Sequence, residues 1–178
     1  TDNKPKALVN VAGKSLLEWN LRKLYKAGIR QFVINVHHFG EQVIRFVEEL
    51  DWPGLHVQIS DERKALLDTG GGLWKASGFF GENEDVLVHN VDILTNLDIA
   101  MLMKAHRQQV ALVTLAVKDR DTDRKLLFDN TGQLVGWRNR KTGEVRWSAD
   151  PRGSVQAYAY SGVHVINTAI FALKQQAG

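Results

Sequence analysis

The sequence predicts an α/β fold: a Rossmann-like, mixed but mostly parallel sheet flanked by helices, with a β-hairpin inserted late in the chain. Two observations predict the layered part. Strand-like and helix-like hydrophobic periods alternate from Ser15 to Val117, and the helical stretches are about a dozen residues, the length a right-handed crossover between parallel strands requires. The third observation predicts the insertion: from Lys118 onward the pattern breaks into short runs separated by Asn, Thr and Gly turns.

Element by element, Ser15-Leu16-Leu17-Glu18 has the form of a capping box, Leu17, Leu21 and Leu24 recur at helical spacing, and Gly28 is a natural terminator. These predict a helix. The β-branched run Gln31 to Val36 predicts a strand, and Val43, Val47 and Leu50 predict a second helix reaching Asp51. Leu55 to Ser60 alternates as a strand does, and Asp85 to His89 reads as a short buried one. Ile99, Leu102, Met103 and His106 mark one face of a helix, followed by a strand predicted over Val110 to Val117. Leu126 to Val135 folds back around Asn130-Thr131-Gly132, a second turn falls at Lys141-Thr142-Gly143, a strand is expected from Tyr158 to Ile166, and a short helix from Thr168.

Composition narrows the class. The 178 residues suit one domain with a sizeable core, and 44% apolar with 24% charged residues is ordinary for a globular protein. No apolar stretch approaches the roughly 20 residues of a membrane span, so no membrane partner is expected. The absence of Cys excludes a disulfide framework and cysteine-ligated zinc, and it accords with a cytoplasmic location. A net charge of +3 from 23 basic and 20 acidic residues suits small anionic substrates and is too dispersed to indicate nucleic acid.

Three segments carry chemistry. Lys4-Pro5-Lys6-Ala7-Leu8-Val9-Asn10-Val11-Ala12-Gly13-Lys14-Ser15-Leu16-Leu17 sets lysines and a rigid Pro ahead of an apolar run and a Gly-Lys turn. Asn90-Val91-Asp92 follows the strand ending at His89, which puts Asp92 at the edge where open α/β sheets bind ligands. A carboxylate there either holds Mg²⁺ or caps the turn before the next helix. Leu66-Leu67-Asp68-Thr69-Gly70-Gly71-Gly72-Leu73 offers bare backbone that a flat ligand can approach, or simply a flexible turn. His37-His38 is no metal pair, since neighbours on an extended strand point to opposite faces.

Together these segments resemble the sugar-nucleotide pyrophosphorylases, a family of nucleotidyltransferases with the pattern P-K-x-L-x-x-V-x-G-K-x-L-[IL]. The triple-Gly form and N-x-D most resemble the branch containing N-acetylmuramate 1-phosphate uridylyltransferases and mannose 1-phosphate guanylyltransferases. The resemblance implies transfer of a nucleotidyl group from a nucleoside triphosphate to a sugar 1-phosphate, with Mg²⁺ as cofactor and NDP-sugar and pyrophosphate as products. It implies that Lys6 contacts the phosphates, that Thr69, Gly70 and Gly71 lie against the base, that Asn90 touches the ribose and that Asp92 ligates the metal. Sugar contacts would fall to Asn139, Ser161 and Gly162, where Trp137-Arg138-Asn139 and Tyr160-Ser161-Gly162 depart from the family's usual residues. Residues 1–178 would then form one nucleotidyltransferase domain, with the family's Gly-rich loop expected ahead of Thr1 and a second metal carboxylate beyond Gly178. Two alternatives stay open: a cytidylyltransferase for a phosphocholine-like acceptor, and a non-catalytic nucleotide- or sugar-binding module.

Overall fold

The computed structural model describes residues 4–63, 67 and 69–176. The chain divides into two compact units, one made of 1–114 and 165–178 and the other of 115–164.

The first unit opens on a single 3₁₀ turn, Lys6–Leu8, entered through Pro5 at φ −65° and ψ 145°. Two short strands, β1 (Asn10–Val11) and β2 (Lys14–Ser15), pair antiparallel across Ala12-Gly13. Gly13 takes a φ of 85°, open to Gly at little cost, and its N–H donates to Asn10 Oδ1 at 3.0 Å. Helix α1 (Leu16–Lys26) starts at Ser15, whose Oγ accepts the Glu18 N–H at 3.0 Å, satisfying one of the amides a helix start leaves unpaired. It ends at Gly28 with φ 93°, and the Ile29 N–H closes onto Leu24 O at 3.1 Å.

Strand β3 (Gln31–Val36), helix α2 (Gly40–Glu48) and strand β4 (His56–Asp61) form the βαβ crossover expected from their periods. β3 and β4 are parallel and in continuous register from Gln31 opposite His56 to Val36 opposite Asp61. Leu17, Leu21, Val36 and Val43 close a core with Leu8, against which Phe32, Ile34, Ile59 and Val91 also pack. Helix α2 stops at Glu48, short of the predicted Asp51, as the Leu50 N–H turns back to Val47 O.

Helix α3 (Thr69–Lys75) runs into a 3₁₀ turn at Ala76–Phe79, then strand β5 (Asp85–His89) and helix α4 (Ile99–Gln109). β5 matches its predicted bounds. Strand β6 (Val113–Lys118) begins later than expected, because Val110 leaves α4 in the left-handed conformation, φ 49°, and is 91% exposed.

The second unit is antiparallel. β7 (Arg124–Phe128) pairs with β8 (Leu134–Asn139), β8 with β9 (Val145–Trp147), and β7 with the opening residues of β10 (Gln156–Asn167). The predicted hairpin is present. Asp129 organises its turn: Oδ1 accepts the Thr131 hydroxyl at 2.6 Å and the N–H groups of Thr131 and Gln133, while Oδ2 accepts the Arg152 N–H. A bulge between Leu127 and Phe128 absorbs the odd residue. Val165–Asn167 of β10 return to the first unit, where a 3₁₀ helix follows over Thr168–Gln176. The fold is thus mixed α/β, with strands of both senses and helices beside them.

Candidate active site

The first unit brings the N-terminal segment and the Asp92 turn together through α1. Asn20 occupies a position on the Leu17-Leu21-Leu24 face where a leucine would be expected, and its Nδ2 donates to Val91 O at 2.8 Å. One turn later Lys23 Nζ donates to Thr95 O at 2.6 Å. Together with the Ile93 N–H to Asn90 O bond of 3.1 Å, these contacts fix the loop that carries Asn90 and Asp92, both of them exposed. Val91 packs on the cluster containing Leu8, so the loop and the Lys6–Leu8 turn rest on one core. Lys6 is exposed at the start of that turn. Lys14 is in β2, its Nζ 5.5 Å from the centre of the Trp19 ring, a cation–π contact.

The glycine segment is held from below by a buried carboxylate that the sequence pattern did not single out. Glu62, 1% exposed, follows β4; its Oε1 accepts Asn35 Nδ2 at 2.9 Å and its Oε2 the Leu67 N–H at 3.4 Å. Its own N–H donates to Val36 O at 2.7 Å, and its carbonyl meets His37 Nδ1 at 2.7 Å, which gives His37 a structural partner. A Cβ on Gly72 would stand 2.5 Å from Glu62 Oε1 and 2.8 Å from Asn35 Nδ2, so Gly72 is a packing requirement. Gly70 meets nothing within 4 Å and Gly71 only the Leu67 side chain, which leaves Gly70 as the open face of the segment. Leu66, Asp68 and the side chain of Thr69 lie outside the described residues. A polar residue inside each apolar stretch, Asn20 in α1 and Asn35 in β3, was the available signal.

Gly72 and Glu62 share the wall of one cleft, about 1320 Å³ in volume, with His89 and Asn90. His89 turns Nδ1 toward Asn90 O at 2.9 Å, and burial pulls its pKa down, which keeps the ring neutral near pH 7. Beside β4, Arg63 hydrogen-bonds Asp61 and holds its pKa at about 2, and the same guanidinium reaches Glu41. At the base of β5, burial opposes ionisation of Asp85, but hydrogen bonds from Arg107 and Asn167 outweigh it and keep the carboxylate charged.

Among the described residues no three His, Asp or Glu side chains stand close enough to form a metal cluster. Asp92 offers one exposed carboxylate. That donor set fits Mg²⁺, which is held by one or two carboxylates together with phosphate oxygens and water.

In the second unit, Asn139 ends β8 and its side chain is engaged in the turn, Oδ1 accepting the Lys141 N–H at 3.0 Å. Ser161 and Gly162 sit within β10, Gly162 buried at φ 76°. Around the β8–β9 turn, Arg140 pairs with Asp121 at 2.9 Å and Arg146 with Glu144 at 2.7 Å. No helix among the described residues is long and apolar enough to cross a membrane.

Residues 1–126 match the model of a family described as nucleotidyl transferase. The chain is 33% identical over 97% of its length to N-acetylmuramate alpha-1-phosphate uridylyltransferase of Caulobacter vibrioides, of which it covers 70%. It is 37% identical over 55% of its length to the protein of that name from Neisseria meningitidis serogroup B, covering 42% of it. Among solved structures, HddC from Yersinia pseudotuberculosis complexed with GMP-PN aligns with a TM-score of 0.72 at 17% identity, over 94% of this chain and 69% of that one. That likeness is one of fold.

Proposed function

Because the chain belongs to the nucleotidyl transferase family, we propose that it serves a sugar-1-phosphate nucleotidyltransferase that takes UTP as donor and an N-acetylmuramate 1-phosphate-like sugar as acceptor. The observation that carries this reading is the similarity to the Caulobacter vibrioides uridylyltransferase, which runs through 97% of the chain and therefore through both compact units.

In this reading an oxygen of the sugar phosphate attacks the α-phosphorus of UTP in line. A new P–O bond forms as the bond to the β-phosphate oxygen breaks, and pyrophosphate leaves with the electron pair. Lys6 Nζ, a compact cation at the mouth of the Lys6–Leu8 turn, offsets the charge that collects on the phosphates. Thr69, Gly70 and Gly71 lie along the base, where the lack of a Cβ lets backbone approach a flat ring. Asn90 meets the ribose, and Asp92, held by α1 through the Val91 and Thr95 carbonyls, is the residue that would hold Mg²⁺. When bound, that ion supplies charge neutralisation and a template for the triphosphate. Asn139, Ser161 and Gly162 belong to the sugar side. The cytoplasm, where nucleoside triphosphates are made, is the compartment that suits this chemistry and the absence of Cys.

The test is product formation by the complete protein. Each of UTP, GTP, CTP and ATP is offered with Mg²⁺ and a panel of sugar 1-phosphates and phosphocholine, with pyrophosphate and the nucleotide product followed by mass spectrometry. A UDP-sugar is expected. Nucleotide binding without pyrophosphate release would favour the non-catalytic binding module instead, and CDP-choline would favour the cytidylyltransferase.

A further inference from the structure

Strand β9 is the outer strand of the second unit, and its free edge is both apolar and preorganised. Asn139 donates its N–H to Glu144 O at 2.8 Å and Ser148 donates to Val135 O at 2.9 Å, which turns the backbone groups of Glu144, Arg146 and Ser148 towards β8. Successive residues of an antiparallel strand direct those groups to opposite sides, so Val145 and Trp147 present theirs outward, and no strand among the described residues pairs with them. Their side chains share one face of the sheet. Val145 is 46% exposed and Trp147 56% exposed. Trp147 is nevertheless fixed: it stands opposite Gly136, where an added Cβ would lie 3.1 Å from its Cε3, so the indole occupies the space the glycine leaves. Val145 and Trp147 also border a shallow groove of about 230 Å³ with Leu127, Val155 and Ala157.

The edge is complementary to itself. A second β9 laid antiparallel about a two-fold axis through Arg146 sets Val145 opposite Trp147 of the copy, and Trp147 opposite its Val145. All the outward groups then pair, giving four main-chain hydrogen bonds. Each Trp–Val pair puts an aromatic ring beside a β-branched side chain, a favourable cross-strand combination. The axis also sets Arg146 opposite its own copy, which by itself repels. Here each guanidinium is already held by Glu144, with Nε and Nη2 both 2.7 Å from Oε1, and the copy's Glu144 lies one diagonal position away, so positive and negative charges alternate round the axis. The length matches as well: Gly143, at φ 71°, closes the turn on one side and Ser148 bonds back to β8 on the other, leaving three strand residues for a partner of three.

We propose that a second copy of this chain docks on β9, the two strands pairing antiparallel about Arg146 into one continuous sheet. A second copy rather than an unrelated peptide is the occupant because the register, the strand length and the Glu144–Arg146 charges are all satisfied by β9 itself. Exposed apolar edges are templates for pairing, and symmetric closure removes this one. The contact is small beside a standard protein interface, so the dimer is weak and reversible. Pairing at β9 goes beyond nucleotidyl transfer and stands whether or not that reading holds.

Sedimentation equilibrium of the complete protein should show a weight-average mass that rises from one chain towards two as concentration increases. Val145→Lys, which sets a charge against Trp147 of the copy, and Val145→Pro, which removes an outward N–H while sparing the bonds to β8, should each shift dissociation at least tenfold to higher concentration, with circular dichroism showing both folded. The lysine variant covers the case in which proline disturbs the strand. Register is tested with a cysteine, a residue that positions 1–178 lack. Arg146→Cys would face its own copy at a Cα separation of about 4.5 Å, within disulfide range, so mild oxidation should cross-link it at least tenfold faster than Lys141→Cys in the neighbouring turn. A mass that stays at one chain at every concentration would overturn the proposal, whether the β9 amides exchange freely or are covered by another segment. A dimer that survives Val145→Lys undiminished, or equal cross-linking of the two cysteine variants, would overturn it too, since the copies would then meet elsewhere or in another register.

Discussion

Gly72 and Gly70 are two residues apart and answer to different constraints. Replacing Gly72 with Ala would push a methyl into Glu62 Oε1 and Asn35 Nδ2, which are bonded to each other in a site 1% exposed at Glu62. Neither can retreat without breaking that bond. Gly72→Ala should therefore destabilise the protein by about 1–3 kcal/mol, the range for overpacking a filled interior, measured by urea unfolding. Gly70→Ala has open space around its new methyl and should leave stability unchanged or raise it by up to about 1 kcal/mol. If Gly70 and Gly71 carry the base, the same Gly70→Ala protein should bind UTP more weakly while unfolding no earlier. A thermal-shift titration separates the two effects, since ligand stabilisation follows RT ln(1 + [L]/Kd).

At the scale of elements, α1 does more than cover the sheet. Its Asn20 and Lys23 reach carbonyls 71 and 72 residues away and hold the loop bearing Asn90 and Asp92. Asn20→Ala should cost about 1 kcal/mol, as expected when a half-buried carbonyl loses its donor, and should speed amide exchange at Val91 to Ile93. Unchanged exchange there would mean that α1 does not position the loop. The same element shows what a sequence can and cannot disclose. Ser15, the Leu17-Leu21-Leu24 stripe and Gly28 are local signals, and they fixed the start, face and end of the helix. The Asp85–His89 strand and the Asn130-Thr131-Gly132 turn were legible for the same reason. The Asn35–Glu62 pair was not, because neither residue has a pattern of its own and the partner lies 27 positions along the chain. The late start of β6 was hidden as well: Val110 extends an apolar run, yet a left-handed exit from α4 turns it to solvent.

At the scale of the whole molecule, each unit carries a carboxylate held at a pKa of about 2: Asp61 beside Arg63 in the first, and Asp129 within its turn of donors in the second. A folded-state pKa below the unfolded value of about 3.9 stabilises the fold above pH 4, and that contribution is lost as pH falls from about 4 towards 2. Unfolding by denaturant, followed from pH 6 to pH 2, should show stability falling through this window, less steeply in Asp129→Asn, which cannot titrate. Lys6 and Asp92, two of the residues the sequence assigned to chemistry, are both exposed. Their types and spacing could be read from the chain; the contacts that hold the Asp92 loop in place could not.

The central claim is that Asp92 holds the metal for nucleotidyl transfer. Asp92→Asn in the complete protein keeps size and hydrogen bonding and removes the charge, so it isolates that claim from folding. Steady-state pyrophosphate release from UTP and the best sugar 1-phosphate would be compared between the two proteins, with circular dichroism establishing that the variant is folded. Loss of a comparable electrostatic group costs on the order of 10²-fold or more in kcat, and that drop is expected here, greater than any rise in KM. A folded variant retaining more than about a third of the unmodified protein's kcat, a loss well under 1.4 kcal/mol, would contradict it.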